Sequence, residues 1–88
     1  MHMLAYLVEL IGTFIFVAVI LISGSPIAIG ITLTAMIFFG TKISGGHFNP
    51  AVAYGAYLSG SLNGRDLIGQ IIAQFIGAYL AYIYSLQI

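Results

Sequence analysis

Cysteine is absent from this 88-residue chain, which excludes disulfides and thiolate metal sites. Charge is nearly absent as well. Only Glu9, Lys42, Arg65 and Asp66 carry it, and the formal net charge is zero. A soluble domain carries about 25% charged residues. Here the figure is 5%, so water is not the main solvent of the folded chain. The neutral balance gives no footprint for nucleic acid. Also missing are paired carboxylates, a cluster of metal-ligating side chains and a phosphate-binding loop beside a strand. No catalytic residue, metal or cofactor is therefore expected. His47 stands without further ligands. Ser44, three residues before it, has neither a nucleophile elbow nor an evident orienting acid, so an intramembrane hydrolase is disfavoured and the chain is not read as an enzyme.

What is abundant is apolar: 61% of the residues are hydrophobic. Three runs stand out, at about 4–22, 27–43 and 67–86. Each is close to the ~20 residues that cross a hydrocarbon core of about 30 Å as a helix. The first run is not read as a cleavable signal, because no Lys or Arg precedes it, it is too long, and Glu9 lies inside it. The expectation is a multi-pass integral membrane protein with the lipid bilayer as its surroundings.

Between the second and third runs the chain interrupts itself with SGGHFNPAVAYGAYLSG, residues 44–60. The apolar part, Ala51 to Leu58, is eight residues long. At 1.5 Å per residue it makes roughly 12 Å of helix, less than half the core. Its start is well marked. Asn49 suits an N-cap, whose side-chain oxygen accepts from the first turn, and Pro50 suits the first helical position. Gly60 and the Ser61–Gly64 group end it. A half-length helix after an irregular glycine-rich segment predicts a re-entrant loop over about 44–60. Charge agrees: a segment that dips and returns keeps Lys42 and Arg65 on one side, and positive charge prefers the cytoplasm. The N-terminus is then expected to be cytoplasmic. Irregular backbone at membrane depth must be satisfied by protein or by a wet cavity. An inward-pointing helix N-terminus repels cations and offers donors to a neutral polar solute.

The stretch S-G-G-H-F-N-P-A-V, residues 44–52, resembles the first signature loop of the major intrinsic proteins, the aquaporin and aquaglyceroporin family. E-L-I-G-T, Glu9 to Thr13, is similar to the family's first helix, and A-Q-F-I-G-A, Ala73 to Ala78, to its third. The resemblance covers the whole chain and implies an all-α membrane protein: three transmembrane helices plus one re-entrant half-helix, the N-terminal half or first repeat of an inverted-repeat fold. It implies that the Asn49 amide donates to a passing solute, with Pro50 and Ala51 shaping the turn. It puts the carbonyls of Gly45, Gly46, His47 and Phe48 along the pore wall and Ile29 at the narrow position of the second helix. Glu9 and Gln74 would be buried supports.

Glu9 also carries a reading of its own. It lies about 8 Å into its span by helix rise, where a carboxylate should face protein or water. Accepting N–H bonds from the loop would satisfy it. Gln70 and Gln74, one turn apart, are read as facing protein, Gln70 in ordinary helix-to-helix hydrogen bonding. Gly69, Ala73, Gly77 and Ala81 form a small-residue stripe, for packing within the chain or for self-association. Tyr79, Tyr82 and Tyr84 suit an interfacial belt. The sequence departs from the family in supplying one repeat. Val52 stands as in a first half, and the arginine after a second N-P-A is not present. The expected function is a passive channel for water or small neutral solutes such as glycerol, half-length and needing a second half-unit or a second copy. The alternative is a truncated fragment or a non-conducting small assembly subunit.

Overall fold

The computed structural model describes residues 2–88. Four helices follow one another: α1 (His2–Ser23), α2 (Pro26–Ser44), α3 (Pro50–Leu58) and α4 (Gly64–Ser85). α1, α2 and α4 are long and apolar enough to cross a membrane. α3, with nine residues, extends only about 14 Å and cannot. The longest dimension of the unit, 38 Å, suits a hydrocarbon core of about 30 Å with its interfaces.

Side-chain caps decide where the helices begin. Ser25 accepts from Ala28 N at 3.3 Å and Pro26 takes the first helical position. Asn49 and Pro50 start α3 in the same way. Asn63 accepts from Asp66 N at 2.8 Å, which starts α4 at Gly64 and not at Leu67, where the hydrophobic run begins. The cap pulls the polar Arg65 and Asp66 into the first turn. At its other end α2 keeps Ser44 as its last residue and closes on Gly45, whose φ of 97° is the left-handed turn that glycine takes without steric cost.

α1 packs against both α2 and α4, and α3 packs against α4. The direction of α4 settles the path of the segment before it. Tyr6 Oη donates to Asp66 at 2.8 Å, Gly77 backs onto Leu10 and Phe14, and the rings of Phe14 and Tyr84 are 5.8 Å apart. α1 and α4 therefore run parallel. With α2 returning between them in sequence, residues 45–63 begin and end at the same end of the bundle, so the half-helix is re-entrant. The small-residue stripe of α4 is used here. Ala73, Gly77 and Ala81 are buried, Gly69 meets the Tyr6 ring, and a Cβ on Gly77 would run into the backbone of Leu10. The stripe serves the α1–α4 contact within the chain. Tyr79, Tyr82 and Tyr84 lie exposed at the far end of α4.

Candidate functional site

Four of the buried polar side chains of the unit gather at one place. Glu9, Ser44, Gln70 and Gln74 are each at most 7% exposed; the first three bond to the irregular segment 45–49, and Gln74 bonds to Glu9. Glu9, on α1, is fully buried. Its Oε1 accepts from Phe48 N and from Gln74 Nε2, both at 2.8 Å. Its Oε2 accepts from Ser44 Oγ at 2.6 Å and from His47 N at 3.1 Å. A carboxylate offers about four acceptor sites, and four donors fill them. Ser44 Oγ relays the contact by accepting from Gly46 N at 3.2 Å. Gly45 N closes α2 on Thr41 O at 3.0 Å. Every backbone N–H from Gly45 to Phe48 is thus spent on protein.

The carbonyls face the other way, and for a simple reason. A trans peptide is planar, with its N–H and C=O pointing oppositely, and all peptides here are trans. When the N–H groups of Gly46, His47 and Phe48 turn toward Glu9 and Ser44, the carbonyls of Gly45, Gly46 and His47 must turn away. Among the described residues nothing donates to these three, nor to the carbonyl of Phe48. The segment is able to converge on one carboxylate because Gly46 has φ 65° and Phe48 φ 54°. Alternation with such left-handed residues makes a concave nest of N–H groups, which suits an anion.

Phe48 holds this conformation although it has a side chain, and a positive φ is unfavourable for a bulky residue. Its ring supplies the compensation. It is 3% exposed and wedges between α1 and α2, where Gly12 and Gly40 leave room. A Cβ at Gly40 would stand 2.7 Å from the ring, and one at Gly12 would also collide with it. So Phe48 presents its carbonyl outward and its ring inward as an anchor.

Asn49 caps α3. Its Oδ1 accepts from Ala51 N at 2.7 Å, and the residue is exposed. With the oxygen committed to the cap, the amide NH₂ points out with no partner among the described residues. Pro50 and Ala51 form the first turn. Gln70 reaches the loop at two points, donating from Nε2 to Ser44 O at 2.8 Å and meeting His47 Nδ1 at 2.7 Å through Oε1. Ile29 is not brought to this cluster. It lies one turn into α2, some 15 residues before Ser44, roughly 22 Å along the axis.

Sequence reasoning missed Ser44 as a relay, Gln70 as a loop ligand and Phe48 as a wedge. Spacing only places Gln70 and Gly12 on the helix faces that carry Gln74 and Glu9. Gln70 is four residues before Gln74, on the same helical face, and Gly12 follows Glu9 by three. The arrangement offers hydrogen-bond donors and acceptors. Among the described residues no three His, Asp or Glu side chains converge as metal ligands.

Residues 20–86 match the family described as Major intrinsic protein. The chain is 44% identical over 87 residues to "Glycerol uptake facilitator protein-like 6" of Lactiplantibacillus plantarum, covering 86% of this chain and 39% of that protein. It is 45% identical over 58 residues to Aquaporin Z of Brucella melitensis biotype 1, covering 66% and 25%. With Aquaporin Z of Photorhabdus laumondii the identity is 38% over 88 residues, covering 83% and 38%. The chain spans at most about two fifths of the length of these curated relatives. No solved structure matches it.

Proposed function

The chain belongs to the major intrinsic protein family of channels, and we propose that its 88 residues form half the wall of a passive pore for water and small neutral solutes. The observation that carries this reading is the loop's outward row of unpaired carbonyls, ending at the free Asn49 amide. Acceptors followed by a donor suit a molecule that both donates and accepts, as water and polyols do. The positive end of α3 beside Asn49 disfavours cations. The glycerol facilitator and aquaporins among the relatives support the same solute class.

A single repeat encloses no pore, so the proposal includes a second half-unit, supplied by a partner segment or by a second copy in the opposite orientation. In a pair of copies Val52 and Ile29 would each occur twice, without a fixed arginine, so permeation would be neutral and poorly selective. The assembly-subunit reading relied on the α4 stripe, and that stripe is used against α1. The proposed orientation puts the N-terminus, Lys42 and Arg65 in the cytoplasm, supported by the positive-inside bias and by the contact of Arg65 with His2 at 2.8 Å. Cysteines placed at 42 and 65 should then label from the same side of sealed vesicles.

The test of function is osmotic swelling of proteoliposomes with water, glycerol and urea, beside a conductance measurement. Neutral flux that falls in Asn49→Ala is expected. An ionic current that Asn49→Ala leaves unchanged would overturn the assignment.

A further inference from the structure

Gln70 touches two loop groups, and together they fix where a proton sits. Ser44 O cannot donate, so the end of the Gln70 amide facing it at 2.8 Å must be Nε2. The other end, Oε1, can only accept, and it faces His47 Nδ1 at 2.7 Å. Nδ1 must therefore carry the proton. The flipped amide would press two carbonyl oxygens together at that 2.8 Å separation, around a side chain only 2% exposed. Both oxygens would then be acceptors without a donor between them, a costly arrangement in a buried site.

In a neutral imidazole one nitrogen donates and the other accepts. With Nδ1 protonated, Nε2 is left as a bare lone pair. No described residue bonds to it. That edge of the ring lies over Gly45, where an added Cβ would be 2.8 Å from Nε2. Gly45 is exposed, and its carbonyl belongs to the outward row.

We infer that Gln70 is a positioning residue that locks His47 in the Nδ1–H tautomer and so adds His47 Nε2 to the loop carbonyls as a side-chain acceptor. The opposite tautomer would put a donor among acceptors and break the sequence of like groups that a solute's O–H meets. The part played in permeation rests on the pore reading above. The tautomer does not.

The experiment is ¹⁵N NMR of histidine-labelled protein in lipid nanodiscs. It uses a His2→Gln background, so that only His47 reports, and a pH well above the ordinary histidine value of about 6.5. The expected spectrum has a protonated Nδ1 and a bare Nε2. Gln70 Oε1 is the acceptor that holds the proton on Nδ1. Gln70→Leu removes it and should give a mixture or the Nε2–H form, with the fold checked by thermal unfolding. Water flux should drop about fivefold in Gln70→Leu, the factor set by one hydrogen bond of about 1 kcal/mol. An Nε2–H ring in the parent protein overturns the inference whatever the flux. So does a tautomer unchanged by Gln70→Leu in a folded protein. An Nδ1–H ring in a protein without flux upholds the tautomer and overturns the pore reading alone.

Discussion

The two sides of residues 45–48 differ completely in how they are satisfied. The N–H side is consumed by Thr41 O, Ser44 Oγ and Glu9. The C=O side has no partner among the described residues. One buried carboxylate accounts for both. By collecting the donors it turns the acceptors outward, because the two groups of a trans peptide oppose each other. Backbone groups left unpaired at membrane depth need further protein or a wet path, and on the proposed pore reading the carbonyl side is the wet one.

Removing the collector should break the difference most severely. Glu9→Leu leaves the N–H groups of His47 and Phe48, Ser44 Oγ and Gln74 Nε2 without their acceptor. At about 1–3 kcal/mol for each buried donor left unpaired, this should be the largest loss of thermal stability in detergent. Glu9→Gln keeps one acceptor oxygen and should lose less. A leucine variant as stable as the parent would mean that the loop holds its shape without Glu9.

Phe48→Ala tests the anchor. It empties the socket between Gly12 and Gly40 and should cost about 3–5 kcal/mol, the usual range for a buried aromatic. Unfolding by denaturant would measure it. Overfilling the same socket with Gly40→Ala should cost about 1–3 kcal/mol, and the ring would have to move, loosening Phe48 N from Glu9.

The smallest effect sharpens the comparison at Asn49, where cap and solute contact use different atoms. Asn49→Ala loses the cap and should destabilise by about 1 kcal/mol. Asn49→Asp keeps an oxygen for Ala51 N and should unfold at the parent's temperature or above, since a negative group favours a helix N-terminus. It lacks the NH₂, so its neutral flux should still fall. Parallel unfolding and swelling of the two variants would separate the functions.

Much of the fold was legible because the bilayer imposes simple lengths. Three runs could span and one could not, and Asn49-Pro50 marked where the short helix begins. The start of α4 was less legible, since Asn63 extends the helix three residues ahead of the apolar run. At the site, cost pointed to Glu9, since an intramembrane carboxylate needs partners, and the family resemblance pointed to Gln74. Cost did not identify the partners. That Gln70 grips Ser44 O and His47, and that Gly12 and Gly40 receive a ring from residue 48, depends on how α1, α2 and α4 close around one loop. No spacing along the chain encodes those distances. Gln70 looked like an ordinary interhelical residue because its loop contacts lie 23 and 26 positions away.

The opposition between the two sides can be read most directly by solid-state NMR of the chain in lipid, following amide exchange and water contact along residues 45–48. Slow exchange at Gly46, His47 and Phe48, together with water cross-peaks at the carbonyl carbons of Gly45 through Phe48, is the predicted result. Amides that exchange as fast as those of the exposed Ser59–Ser61 turn, or carbonyls that show no water, would contradict it.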